Sequence, residues 1–220
     1  MAAARLPFRP EIDHRTIKLL VGVIALAMAP LTSALSPSAI ASISASYYEG
    51  GAAQSVFVGF LFAIAALLAA YNGRSRAEMA LSKVAALAGL GVALWPCTCG
   101  AHSVHPPWLH GASASVMFLI LAWFCLTFYR RARAKRSAQA QVRAGLYALC
   151  GAAIVLAIAV LALNALLHDA WLHAVPRLVL YGEATGLTAF GLAWLNASHA
   201  LPWLNHPSER FAPWRARNPQ

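Results

Sequence analysis

The chain is predicted to be an all-α, polytopic membrane bundle of six transmembrane helices with both termini in the cytoplasm. Three observations predict this. Of its 220 residues 60% are hydrophobic and 11% are charged, too little polar surface to cover a soluble domain of this size. Apolar runs at 17–36, 52–72, 80–96, 108–129, 143–167 and 175–197 each approach or exceed the roughly 20 residues that cross a bilayer as helix. Finally, 16 of the 17 lysines and arginines fall in the leader, the second and fourth connections and the tail, leaving only Arg177 on the other side. By the positive-inside rule the basic side is cytoplasmic and the connections 37–51, 97–107 and 168–174 face outward.

The elements follow in order. Residues 1–16 form a cytoplasmic leader, 17–197 one six-span membrane domain and 198–220 a cytoplasmic tail. Arg5, Arg9, Arg15 and Lys18 before an apolar run could also mark a signal peptide, but the run has the length of a span and Pro37 follows the best cleavage site, so an uncleaved first span is expected. Pro30 predicts a kink or an early end there. In the outer stretch 36–49, Ile40, Ile43 and Tyr47 recur at helical spacing, which predicts a short amphipathic helix in the interface with Tyr47 and Tyr48 as belt residues. Span two should stop at Tyr71-Asn72-Gly73. Trp95-Pro96 and Pro106-Pro107 bracket 97–107, predicting an ordered cap. The basic stretch from Arg130 to Arg143 should extend span four or five as solvated helix. Gly182, Gly186, Ala189 and Ala193 form one small-residue stripe in span six, and Gly111 and Ser115 another in span four, where helices are expected to touch.

Composition also excludes roles. A net charge of +10 would suggest nucleic acid in a soluble protein; here orientation and anionic headgroups account for it, and no nucleic-acid partner is expected. Cys125 and Cys150 lie within spans and read as packing residues. Cys97 and Cys99, on the outer side, are expected as a labile disulfide, as free thiols or as metal ligands.

Ionisable residues collect at the outer ends: Glu49, His102, His105, His110, His168, Asp169, His173, Arg177 and Glu183. Glu183 lies seven residues beyond Pro176, about 10 Å into span six. Because a carboxylate at that depth is costly on a lipid face, Glu183 should point into the bundle. His110 begins span four at a similar depth and is its expected acid–base partner, so Glu183 and His110 are the candidate catalytic pair. His102, His105, His110 and His173 are candidate ligands for zinc or copper, with Cys97 and Cys99 beside them. No nucleophile elbow, phosphate-cradling glycine loop, dinucleotide fingerprint or His-Glu-x-x-His occurs.

Ser46-Tyr-Tyr48, Phe57-Val-Gly-Phe-Leu61, Tyr71-Asn-Gly73, Ala93-Leu-Trp-Pro96, His110 and the run from Glu183 to Trp194 resemble a bacterial family of six-span membrane proteins of unknown function with a DRAM-like layout. The resemblance covers 40–197 and implies a fold and topology without an activity. More remote is a likeness to the membrane hydrolases that include alkaline ceramidases and adiponectin-type receptors, whose zinc is held by three histidines; His168 and His173 stand one residue further apart than that pattern requires. The expected function is that of a multi-pass inner-membrane protein with an outward His/Glu site in a binding, assembly or lipid-interacting role. Its expected partners are membrane lipids and a lipid or small-molecule ligand on the outer side. The alternatives are a metal-dependent hydrolase acting on an outer-leaflet lipid, and a small-solute or proton-coupled transporter.

Overall fold

A computed structural model describes residues 13–100, 102–205 and 209. The basic residues Arg5, Arg9, Arg210, Arg215 and Arg217 lie outside them. The described residues contain no strand, and six helices are long and apolar enough to cross a membrane: α1 (His14–Leu35), α2 (Gly51–Ala70), α3 (Arg76–Leu94), α4 (Trp108–Arg133), α5 (Ala138–Leu166) and α6 (Leu178–Ala197). Each packs against its chain neighbours, α1 closes the ring on α6, and α4 touches α6 across the interior. Large apolar side chains such as Leu87, Leu149, Leu156 and Leu166 stay exposed around the bundle, as a lipid-facing surface requires.

Local chemistry sets the helix ends at what we call the basic end. Asp13 caps α1 by accepting the Arg15 N–H at 2.9 Å. At α3 Ser75 caps the helix, its Oγ accepting the Glu78 N–H, while the Ser75 hydroxyl and the Arg74 N–H donate to the Glu78 carboxylate. Ser137 caps α5. These polar starts place the entry to α3 at 76 and to α5 at 138, four and five residues earlier than the apolar runs suggest, and α4 runs on to Arg133 as solvated helix. After α2, Gly73 adopts a φ of +62° that an L side chain tolerates poorly.

Two expectations are corrected here. Of the kink or early end expected at Pro30, the early end does not occur: helix α1 continues to Leu35. Proline removes one backbone donor, but the Thr32 hydroxyl donates to the Met28 carbonyl at 2.8 Å and supplies another donor in the same turn. The second correction concerns 36–49. Only Ser44–Tyr47 forms a single 3-10 turn, and Ile40 and Ile43 are buried in the core instead of lying in the interface. The amides there bond elsewhere than along a helix, as described below.

Small residues do mark helix contacts, though not all those expected. A Cβ on Gly182 would meet Leu161 of α5 at 2.8 Å, and one on Gly186 would meet Phe118 of α4 at 2.8 Å. Gly111 has open space and Ser115 is exposed, so the expected stripe on α4 is not a helix contact; Gly91 and Ser113 make the close approach between α3 and α4 instead. At the crossing of α1 and α6 backbone meets backbone. There a Cβ on Gly22 would lie 2.8 Å from the Leu195 backbone nitrogen, and since lipid tails are as apolar as leucine, close packing rather than burial from water holds such helices together. Below this crossing Trp194 is fully buried among Tyr71, Phe124, Phe128 and Phe190, at centroid distances of 5.2–6.1 Å.

Candidate functional site

At the opposite end, the cap end, three segments distant in sequence converge on one hydroxyl. Ser44 Oγ lies 2.5 Å from Glu183 Oε1 on α6 and 3.1 Å from His110 Nε2 on α4. Glu183 Oε2 accepts the Ile43 N–H at 2.5 Å and the Ser44 N–H at 3.3 Å. The carboxylate thus takes two consecutive amides that a helix at 36–49 would have satisfied internally, which is why that segment is not one. His110 Nδ1 sits 2.7 Å from the Trp95 carbonyl oxygen. A carbonyl only accepts, so Nδ1 carries the proton and a neutral His110 presents Nε2 as an acceptor.

These distances admit two proton arrangements. In one, Glu183 is protonated and donates to Ser44, which donates to His110. In the other, a charged imidazolium donates to Ser44, whose hydroxyl donates to the Glu183 carboxylate. Moving two protons through Ser44 interconverts them without changing the net charge. Ser44 is 5% and His110 8% exposed, so the exchange is shielded from water. The same geometry disfavours acyl transfer at Ser44. The neighbouring amides that would stabilise an oxyanion are occupied by Glu183, and a carboxylate beside a developing oxyanion raises its energy.

The rest of the cap fastens this centre. Arg177 Nε donates to the Ile40 carbonyl at 3.1 Å, and the Leu180 N–H donates to the Ala41 carbonyl at 3.0 Å. Tyr48 donates to the Cys97 carbonyl at 2.7 Å, and its ring stacks on His102 with centroids 3.9 Å apart. Cys97 and Cys99 form a disulfide. Ser38 bonds the Glu49 carboxylate, and the Asn164 side chain holds both Asp169 and the Trp171 N–H in the α5–α6 connection. Between the first turns of α2 and the last of α3 lies a cleft of about 330 Å³, lined by Tyr47, Gln54, Ser55, Val58, Ala93 and Leu94.

The structure therefore joins the predicted pair His110 and Glu183, through a residue the sequence did not single out. His102, His105 and His173 are exposed and separate from that pair in their contacts; among the described residues no three His, Cys, Asp or Glu side chains gather as a metal-ligand group. Ser44 went unnoticed because it is one of five serines between 36 and 46. Its only local signal is its place beside Ile43. No protein-family model, curated protein or solved structure matches the chain.

Proposed function

We propose that this multi-pass membrane protein resides in the cell inner membrane with its basic end in the cytoplasm, and that it binds the uncharged polar region of a lipid or other amphiphile in the cap-end cleft. The cleft between α2 and α3 carries the reading. It lies beside two membrane spans at a helix end, where the glycerol and ester groups of a lipid lie, and it combines the Gln54 amide, the Ser55 hydroxyl and the Tyr47 ring with apolar Val58, Ala93 and Leu94. Among the described residues no carboxylate, lysine or arginine lines it. That lining suits hydroxyl and ester groups and not a charged headgroup, since buried polar groups need matching partners. Tyr47 belongs to the same 3-10 turn as Ser44. The Glu183–Ser44–His110 network accordingly serves as the anchor of the cleft wall.

A photoactivatable diacylglycerol analogue incorporated into nanodiscs tests this. Crosslinks should concentrate on the peptides holding 47–58 and 93–94 and should be lost when Ala93→Phe fills the cleft. Crosslinks spread evenly around the bundle would remove the binding site. Ser44-dependent release of fatty acid would replace the binding role with a hydrolytic one. A reporter joined after Gln220 should be active only in a form that works in the cytoplasm, and an externally active fusion would reverse the orientation.

A further inference from the structure

The basic end holds cations in places that orientation alone does not explain. The positive-inside effect requires lysines and arginines near a membrane surface, where water solvates them. Lys18 is instead 9% and Arg143 2% exposed. Arg143 is satisfied, donating to the Leu204 carbonyl, Asn205 Oδ1 and Glu209. Lys18 is not. Among the described residues its ammonium makes no hydrogen bond and rests over the rings of Tyr71 and Phe128, at 5.5 and 5.1 Å from their centroids.

Lys18 lines a cavity of about 50 Å³ together with Arg74, Arg131, Lys135, Arg143 and His199. Five lysines and arginines meet there against two carboxylates. Glu78 pairs bidentately with Arg131, and Glu209 bridges Lys135 at 2.5 Å and Arg143 at 2.9 Å. Lys18 and Arg74 make no ion pair among the described residues. Burying an ammonium without a hydrogen-bond acceptor is costly, and ring faces offset only part of that cost. A tetrahedral oxyanion would supply acceptors to Lys18 and Arg74 at once, and guanidinium groups suit its geometry.

From this arrangement we infer that the basic end contains a phosphate-binding site centred on Lys18, with Arg74 and Arg131 as further donors. A cavity of about 50 Å³ suits one tetrahedral group, such as the phosphate of a lipid headgroup or of the free ion. It lies at the opposite end of the bundle from the cleft and stands or falls independently of it.

The test uses the full chain in dodecyl maltoside micelles, whose headgroup carries no phosphate. Binding is read by native mass spectrometry with short-chain phosphatidylglycerol, and by thermal shift with inorganic phosphate. The wild type should retain phosphatidylglycerol in preference to a diacylglycerol of the same chains. Lys18→Met, which keeps the stem and removes the charge, should weaken retention about tenfold, the loss of about 1.4 kcal/mol. In dodecyl maltoside alone the same variant should melt at or above the wild-type temperature, because an uncompensated charge has gone; a lysine needed only for packing would give a lower one. Lys18→Arg should retain the lipid. Phosphatidylglycerol binding without a phosphate shift identifies a headgroup site, and a shift with both identifies a site for the free ion as well. Retention by Lys18→Met equal to wild type, or no preference in the wild type, would overturn the site.

Discussion

Ser44 and Glu183, 139 positions apart in the chain, are joined twice: the Ser44 hydroxyl reaches one carboxylate oxygen and the Ser44 amide the other. A carboxylate placed within a span is thereby converted from an isolated charge into the acceptor for two consecutive backbone amides. This arrangement predicts a graded response to substitution. Glu183→Gln keeps an oxygen for the Ile43 and Ser44 amides and offers an N–H to Ser44 Oγ, reproducing the arrangement in which Glu183 is protonated. Its stability should stay within about 0.5 kcal/mol of wild type, as for other substitutions that leave partners satisfied. Glu183→Ala orphans two amides and should cost about 1–3 kcal/mol for each unsatisfied group. Thermal unfolding in detergent measures both. A large loss in the glutamine variant would assign a charged Glu183.

Ser44→Ala separates the network from the cleft. It removes the hydroxyl between His110 and Glu183 but leaves the amide contacts, so the cap should remain folded at a cost of about 1–3 kcal/mol. Thermal unfolding gives the cost. Lipid crosslinking at the cleft should persist in this variant, since Ser44 does not line it.

At the α1–α6 crossing, Gly22→Ala should destabilise by about 1–3 kcal/mol, the usual cost of overpacking, because the added methyl meets the Leu195 and Gly191 backbones and not a movable side chain. Gly111→Ala has open space and should be neutral or slightly stabilising. Unfolding temperatures of the two variants compare them directly.

The tail docks through groups that titrate. His199, beyond the end of α6, bonds Asn205 Oδ1 at 2.5 Å and has its pKa pushed down to about 4, first by burial and then by the Arg143 and Arg15 charges, while its bond to Asn205 and nearby Glu209 oppose the shift. Glu209 is held down to about 2 by its bond to Lys135, with Arg143 adding to the effect and burial opposing it. A free histidine gains its proton near 6.5. The undocked tail therefore binds more protons than the docked one between pH 6.5 and 4, and docking weakens as pH falls through that window. The contribution of Glu209 persists until pH drops below about 4.5 and fades toward 2. Hydrogen-exchange protection over 198–205, taken relative to the intrinsic rate at each pH, should fall in the first window in wild type. In His199→Gln that first fall should be absent.

The outer disulfide makes a redox prediction. An impermeant maleimide should leave Cys97 and Cys99 of intact cells unlabelled until a reductant is added, given the proposed orientation. Immediate labelling would show free thiols.

The six helices were legible because apolar length is a local property, and the Asn72-Gly73 stop acts within a few residues; the cap of Ser75 with Glu78, which starts α3 four residues before the apolar run, was not read although its signal is as local. Burial of Glu183 against a neighbour was legible too, since lipid gives a carboxylate few alternatives. Ser44 was hidden because nothing local distinguishes a serine that meets α4 and α6 from Ser42 or Ser46 beside it. The buried role of Lys18 was hidden for a related reason: a lysine at the start of a span reads as an orientation signal, and only the approach of α4 and the tail reveals its enclosure. The amphipathic pattern of Ile40 and Ile43 correctly marked one apolar side, but the period cannot tell a core from an interface.

The ties from Ile40–Ser44 to Arg177, Leu180 and Glu183 set an order of events in biosynthesis. The cap segment leaves the ribosome before α6, yet its partners belong to that helix and to Arg177 just ahead of it. Until α6 arrives, Ile43 and Ser44 lack their carboxylate and Ala41 its amide partner. A nascent chain halted before 178 would carry an unfastened cap.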